Sequence, residues 1–361
     1  MRYNSSMILT IFGYPKTGKT LLFNLLTEQK VEISKFSSSA QEYHKSVVDV
    51  PDHRLKALAD HFDTPPVYAK IEYLDTGAIS IGEVKNSMFI DLIRRADGLI
   101  HIVRAFEDAE IIHPKGSIDP LRDLDDMEEE MKSVDYLSIE KRLERLEVDI
   151  RKIKSKELVE EFELQKKLKD FLEEGHPLRE YPWTEREEYI VRGFKFLSQR
   201  PIIKLINTDE NSFHEYSKYH GQKGDNTITL VFCGKIETEL LELDSEDRQM
   251  FQEEYGLESY EYIKENLIKK SYELMNLISF FTVGSDETKA WTIDKSSTAF
   301  IAAGKIHSDI QQGFIRGEVI EWDKFLEAGS FNKAKEQGTL RLEGKEYPVS
   351  DGDIIHFRFN K

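Results

Sequence analysis

Residues 13–20 read Gly-Tyr-Pro-Lys-Thr-Gly-Lys-Thr, and this octet restricts the possible fold more than any other part of the chain. It meets the pattern G-x-x-x-x-G-K-[ST] at every fixed position, a pattern that functions only where a strand runs into a tight loop and then a helix. The flanks supply both. Met7–Phe12 (MILTIF) is an unbroken apolar run that predicts a buried strand, and Leu21–Thr27 (LLFNLLT) predicts the opening of an apolar helix. Gly13 and Gly18 allow the backbone to curl so that successive N–H groups converge on phosphate oxygens at a helix N-terminus. Tyr14, Pro15, Lys16 and Thr17 fill the loop and Leu21 follows it, so residues 13–21 form the expected phosphate cradle. Lys19 is expected to reach the β- and γ-phosphates as the catalytic cation, with the Thr20 hydroxyl on Mg²⁺. A chance glycine-rich turn is the competing account, and the flanking strand and helix argue against it.

The chain continues as an α/β protein. Val47–Val50, Ile71–Leu74, Gly98–Val103 (GLIHIV), Pro201–Ile206 (PIIKLI) and Thr227–Phe232 (TITLVF) predict strands, with a helix over Met88–Ala96. Near-continuous apolar runs of this kind suit a parallel sheet covered on both faces. Between Leu124 and Arg200 the character changes. Met127–Leu146 and Lys152–Leu172 are dense in charge, with Leu143, Leu146 and Ile150, then Leu158, Phe162, Leu168 and Leu172, near helical spacing. Gly175-His176-Pro177 stops that pattern, and Thr184–Ser198 predicts a further helix. This reads as a charged helical arm inserted into the α/β domain, either as a solvated structural pair or as a partner-binding element. From Ser279 onwards, Ser279–Thr282, Ala290–Ile293, Glu318–Ile320, Thr339–Leu342 and Asp353–Phe359 predict short strands, with one helix around Thr298–Ile310. The expected domains are therefore 1–123 with 201–277 for the nucleotide, 124–200 for the arm, and 278–361 for a compact α+β module.

Composition removes several classes. With 361 residues, 39% apolar and 32% charged, the chain is long enough for more than one core. No stretch approaches the roughly 18–20 apolar residues of a membrane span, and Met1–Ser6 is too short and polar for a leader. Cys233 is the only cysteine, so an internal disulfide is excluded and a cytoplasmic location is expected. The net charge of −17 argues against wrapping a long duplex, so no DNA partner is expected, while a local nucleic-acid contact stays open. The ten histidines lack zinc-ligand spacing, so Mg²⁺ is the one metal expected.

Three further signals narrow the nucleotide chemistry. Asp75 closes the Ile71–Leu74 strand, where P-loop hydrolases place the acid that holds Mg²⁺ through water. Asn207-Thr208-Asp209-Glu210 follows Pro201–Ile206 at the location of the Asn-Lys-x-Asp motif that reads guanine; here Thr208 and Glu210 replace the lysine and the final aspartate. Cys233-Gly234-Lys235 takes the place of the usual Ser-Ala-Lys turn against the base. Adenine does not need a guanine clamp, so the altered motif leaves adenine open, and Asn207, Thr208, Glu210, Cys233 and Gly234 are the expected base-side contacts of the nucleotide.

With these features in place, the whole chain resembles the YchF, or Obg-like ATPase, family. The resemblance rests on Phe23–Thr27, Pro51-Asp52-His53-Arg54-Leu55, the run His101–Glu107, Ile111-Ile112-His113, Ala290-Trp291-Thr292-Ile293, Ala303–Asp309, Gly313–Arg316 and Asp351-Gly352-Asp353. It implies a Ras-like P-loop NTPase domain, an inserted helical coiled-coil arm and a C-terminal α+β TGS domain of β-grasp-like form. It also implies ATP preference, Mg²⁺ dependence and association with ribosomes or RNA; a monomer is expected. By the same resemblance Ile79 stands where many GTPases have a water-orienting glutamine, and His113 matches the histidine proposed to replace it as a catalytic residue.

This chain departs from the family pattern at Lys16, Thr17 and Thr20 in the loop, at Ala40 in the first switch within Phe36–Ala40, and at Ala78 in the second. There Gly77 comes one residue early and the stretch ending Ile81-Gly82-Glu83 is shortened. Nucleotide binding should survive these changes, with slow hydrolysis and similar binding of ADP and ATP. A nucleotide-binding interaction protein with little turnover is the alternative. A small-molecule kinase is disfavoured by the base-side motif and the C-terminal module.

Overall fold

A computed structural model describes residues 7–28, 44–77, 87–244, 246–247, 250 and 262–360. The chain forms two compact units: one lies between Ile8 and Ser46 and between Tyr73 and Asn266. The other comprises Met7 with Val47–Glu72 and Leu267–Lys361. Altogether they match the α/β architecture expected from the sequence, a P-loop domain accompanied by an α+β unit.

The first sheet takes β1 (Met7–Phe12), β2 (His44–Asp49), β4 (Lys70–Asp75), β5 (Gly98–Arg104), β6 (Ile202–Asn207), β7 (Lys223–Gly224) and β8 (Thr227–Phe232) in the order β2-β4-β1-β5-β6-β8-β7. The pairs β1–β5, β5–β6 and β6–β8 are parallel, with Leu9 opposite Gly98, Leu99 opposite Ile202, and Ile202 opposite Thr227. Every residue of β5 is buried, as a central parallel strand covered on both faces requires. The hairpin partner β7 is antiparallel and only two residues long, too short to register in the apolar pattern.

The arm departs from the outline in two places. Its first helix, Pro120–Lys152, begins four residues before Leu124, because Asp119 caps it by accepting from the Arg122 N–H at 3.1 Å and Pro120 fits the first turn. The second, Lys156–Glu173, is capped by Ser155. Leu146, Leu168 and Leu172 are buried between them, whereas Leu143, Ile150, Leu158 and Phe162 are half-buried. The further helix covers Glu185–Val191 only, not Thr184–Ser198. Lys195 adopts φ 50°, and the backbone then turns inward to Asp135. That buried carboxylate accepts from the Leu197 N–H at 2.8 Å and from the Ser198 N–H and hydroxyl, each at 2.7 Å. The arm's first helix is thus tied to the chain that returns to β6.

The second sheet takes β3 (Pro66–Val67), β9 (Leu277–Val283), β10 (Thr288–Asp294), β11 (Phe314–Glu321), β12 (Arg341–Glu343) and β13 (Asp353–Phe359) in the order β12-β11-β13-β9-β10-β3. Its outer strand β3 comes from far upstream and pairs parallel with β10, Pro66 opposite Thr288. The Arg54 guanidinium donates to Asp52 and, at 2.7 Å, to Asp351, whose carboxylate also accepts from the Ser279 N–H. Phe62 stacks on Phe325, with ring centroids 5.1 Å apart. Residues 47–72 therefore belong to the same core as the C-terminal stretch. The helix expected over Thr298–Ile310 is two, Ala299–Ile306 and Ser308–Gln312, because His307 is extended and its ring nitrogen accepts from the Asp309 N–H. Two more short helices, Trp322–Ala328 and Phe331–Glu336, lie between β11 and β12. No described helix is long and apolar enough to cross a membrane.

Burial raises the Asp135 carboxyl to about 6, and the Ser198 and Leu197 donors offset this only in part. An unfolded aspartate titrates near ~3.9. The folded state therefore keeps a proton that the unfolded chain releases, so this group's stabilisation is complete below about pH 4 and is lost as pH rises through about 6. Asp135→Asn should remove that dependence. Urea unfolding of the two proteins is expected to show wild type losing about 2 kcal/mol relative to the variant between pH 4 and pH 7. Parallel stability curves would contradict it.

Candidate nucleotide-binding site

β1 ends at Phe12, and the chain turns through residues 13–18 into the helix Lys19–Thr27. Two glycines make the turn feasible. Gly13 has φ 151°, and a Cβ there would lie 2.2 Å from the Ile102 carbonyl oxygen of β5. Gly18 has φ 101°, and a Cβ there would lie 2.3 Å from Asn207 Nδ2. No L side chain fits either place. Within the loop Tyr14 and Thr17 are buried, Pro15 is half-buried and Lys16 is exposed with φ 61°. The Thr17 hydroxyl donates to the Tyr14 carbonyl at 3.1 Å, tightening the curl.

Lys19 is buried and its Nζ lies across the loop, donating to the carbonyls of Gly13 at 3.0 Å and Tyr14 at 2.7 Å. Burial lowers its ammonium to about 8, with Asp75 pulling the other way. The Thr20 hydroxyl donates to Asp75 Oδ2 at 3.2 Å, while Asp75 Oδ1 accepts from the Gly77 N–H at 3.1 Å. One hydroxyl and one carboxylate, both oxygen donors, fit Mg²⁺, which commonly takes one or two protein ligands beside phosphate oxygens and water. Among the described residues there is no cluster of three His, Cys, Asp or Glu side chains that could form an all-protein metal cage.

On the base side, Asn207 is a bridge. Its Nδ2 donates to the Thr17 carbonyl at 3.0 Å, and its Oδ1 accepts from the Gly234 N–H at 3.1 Å. One side chain thus holds the phosphate loop to the ends of β6 and β8. Gly234 in turn packs on Leu21: a Cβ at 234 would meet Leu21 Cδ2 at 2.3 Å. Thr208 is buried, its hydroxyl donating to the Phe232 carbonyl at 3.1 Å. Cys233 is buried at the start of the helix Gly234–Glu242, and burial raises its thiol pKa. Asp209 accepts from the Glu107 N–H at 2.9 Å, the Ser212 N–H at 2.8 Å and the Ser212 hydroxyl at 2.9 Å. Despite its partial burial, those donors lower its pKa. Glu210 is exposed and pairs with Lys235 at 3.1 Å.

His113 lies in a different environment from that of an open loop. Its Nδ1 accepts from the Lys115 N–H at 3.2 Å, which leaves the hydrogen on Nε2, 3.0 Å from the fully buried Asp123 Oδ2. Burial lowers the imidazole pKa, and Asp123 opposes that only in part. Asp123 stands in the first turn of the arm helix, where Arg122 also holds it at 2.9 Å. Lys115 pairs with Asp126 and lies 5.0 Å from the centre of the Tyr14 ring. Tyr14 itself shares a buried cluster with Phe12, Leu99, Met127 and Met131. The link from the phosphate loop through Lys115 to Asp123 and Asp126 escaped the sequence reading. Its only local signal is a run of acids after Pro120. Ala40, Ala78, Ile79, Ser38, Ser39 and the stretch 81–83 lie outside the described residues.

Comparison with known proteins agrees with this geometry. Residues 8–142 match the family model MMR_HSR1, described as 50S ribosome-binding GTPase, and residues 277–360 match YchF-GTPase_C, described as a protein of unknown function. The chain is 38% identical to the ribosome-binding ATPase YchF of Bacillus subtilis over 97% of this chain and 98% of that one. It is 32% identical to the human Obg-like ATPase 1, covering 99% and 94%. The structure of the Schizosaccharomyces pombe YchF GTPase superposes with a TM-score of 0.81 at 28% identity, covering 98% of both chains. A phosphate loop on a Ras-like sheet, near-full-length identity above 30% and a whole-chain structural match lead to one conclusion: this chain is a P-loop NTPase of the YchF, or Obg-like ATPase, family.

Proposed function

We propose that the chain is a cytoplasmic, Mg²⁺-dependent hydrolase that prefers ATP, turns over slowly on its own and acts in association with ribosomes. The convergence of Lys19, Thr20 and Asp75 at the mouth of the Gly13–Gly18 loop carries the hydrolase reading. Lys19 moves from the Gly13 and Tyr14 carbonyls to the β- and γ-phosphates, while loop N–H groups hold the remaining oxygens. Thr20 and Asp75 would hold Mg²⁺, which supplies charge neutralisation on the phosphates when bound. Catalysis rests on positioning and electrostatics around an in-line attack by water. Base preference follows from Asp209 and Glu210: the first is committed to Glu107 and Ser212 and the second to Lys235, so neither is presented as a guanine clamp. Ribosome association is supported by the name of the Bacillus subtilis relative.

The second reading, nucleotide binding with little turnover, is favoured by His113. Its Nδ1 accepts from the Lys115 N–H, and its Nε2 is buried 3.0 Å from Asp123 Oδ2 without hydrogen-bond geometry, so in this conformation neither nitrogen is open to an attacking water. Phosphate release from ATP, measured with and without ribosomes beside a Lys19→Ala control, separates the two. The expected result is slow basal release, acceleration by ribosomes, and loss of both in the variant. Release that stays at the Lys19→Ala background under every condition would select the second reading.

Binding should also report the buried lysine. Because Lys19 titrates near 8 in the free protein and phosphate stabilises its ammonium, ATP affinity should fall as pH rises above about 8. Calorimetry is expected to show roughly tenfold weaker binding at pH 9 than at pH 7, and a flat profile for Lys19→Arg. At neutral pH, ATP should bind at least as tightly as GTP, and Asp209→Ala should leave that ratio unchanged. A tenfold preference for GTP, about 1.4 kcal/mol, would sink the base assignment.

A further inference from the structure

The helical arm ends in an unusual turn. The helix Pro120–Lys152 spans 33 residues, about 50 Å, and only Ile153, Lys154 and Ser155 separate it from the helix that begins at Lys156. Arg151, Lys152, Lys154 and Lys156 are all exposed, and among the described residues none of them is in an ion pair within 4 Å. Some cations elsewhere along the arm meet acids: Arg142 pairs with Glu161 at 2.7 Å, Lys169 with Glu140 at 3.1 Å and Arg186 with Glu160 at 2.7 Å. Among the described residues Lys141, Arg145 and Lys167 stand singly, so what marks the tip is four cations within six residues. Local stability accounts for only half of the tip. Arg151 and Lys152 sit at a helix C-terminus, where the macrodipole favours them; Lys156 is the first residue of the next helix, where the dipole opposes a cation. Lys154 lies between the helices, outside both. Among these cations Ile153 is 59% exposed.

We propose that the arm tip, residues 151–156, is a contact surface for the phosphate backbone of structured RNA. This deepens the ribosome reading and rests on it for the source of that RNA. Charge and reach supply the argument. A chain of net charge −17 is repelled from a polyanion as a whole. A patch about 50 Å along a helix from its base lies several Debye lengths from much of that charge at ~0.1 M salt, where the length is about 10 Å. Nearer acids, Asp149, Glu157 and Glu160, lie beside the tip, but the four cations outnumber them and can act as a local site. Two helices side by side make a tip about 20 Å across, able to approach a ridge of phosphates without bringing the acidic body with it. A lipid surface is the poorer fit: interfacial binding calls for a broad apolar face, and within 151–156 only Ile153 is apolar.

The test uses the full chain with Arg151, Lys152, Lys154 and Lys156 all changed to Gln, a good helix former, and a milder Lys154→Gln/Lys156→Gln variant should the first fail to fold. Both should keep wild-type melting and basal ATP hydrolysis. Co-sedimentation with ribosomes and anisotropy titration of a fluorescein-labelled RNA hairpin are followed over a salt series. For four phosphate contacts the fourfold variant should lose at least tenfold in affinity at 0.1 M salt, and its log K against log salt slope should fall by about 3 units. The double variant should lose about half that slope. Unchanged affinity and slope on both targets would overturn the proposal, even where wild type binds ribosomes well. Failure of wild type to bind ribosomes in any nucleotide state would overturn the ribosome reading instead, and the hairpin titration would still decide the tip. Substitution-sensitive binding to phosphatidylserine vesicles, with hairpin binding unaffected, would overturn it in favour of a membrane contact.

Discussion

Because the Ile102 carbonyl lies 2.2 Å from where a Cβ would begin on Gly13, the loop after β1 can close over β5 only if no side chain stands there. The same restriction recurs at Gly18 against Asn207. Asn207 then uses both ends of its amide, one on the loop and one on the turn after β8. The ends of β1, β5, β6 and β8 are thereby fixed to one another by close contact and two hydrogen bonds. The positions of Lys19 and Thr20 follow from that packing. A phosphate cradle depends on preformed geometry, since its donors must already converge before the ligand arrives.

The same core extends into the arm. Tyr14 of the loop is buried with Met127 and Met131 of the first arm helix, so the helix is part of the hydrophobic interior beneath the loop. Above that apolar contact, Lys115 lies over the Tyr14 ring and pairs with Asp126, and His113 faces Asp123. The base of the arm is thus held twice, by buried sulfur and aromatic groups and by buried charge. Asp135 adds a third attachment through Leu197 and Ser198. Packed interiors of this kind deform little, so a displacement at the arm base has a direct physical route to the phosphate loop.

Much of this was legible in the sequence for identifiable reasons. Each fixed position of the phosphate loop has one physical task, and long apolar runs such as Gly98–Val103 leave few alternatives to a buried parallel strand. The strand expected over Asp353–Phe359 is β13 residue for residue, because the Asp351-Gly352 turn precedes it and apolar residues alternate with His356 and Arg358 from Ile355 to Phe359. What escaped was either too short or too distant. β3 and β7 have two residues each, a single strand period and too short for alternation to repeat. The helices Trp322–Ala328 and Phe331–Glu336 last fewer than two full turns and carry little amphipathic signal. At the site, Asp209 is occupied by a backbone N–H 102 residues away, and His113 by an acid ten residues further on across a turn and a helix cap. No local reading can see such partners.

β3, Arg54 and Phe62 give the C-terminal stretch an upstream dependence. Within that unit, the edge of β10 is covered by β3, Asp351 is held by Arg54, and Phe325 and Phe331 lie against Phe62. A fragment beginning near residue 277 would present a bare strand edge and a cluster of exposed rings, both templates for aggregation. In evolutionary terms the separable piece is therefore not the contiguous C-terminal third. A recombination event that exchanged it between relatives would have to carry residues 47–72 as well to keep these contacts intact.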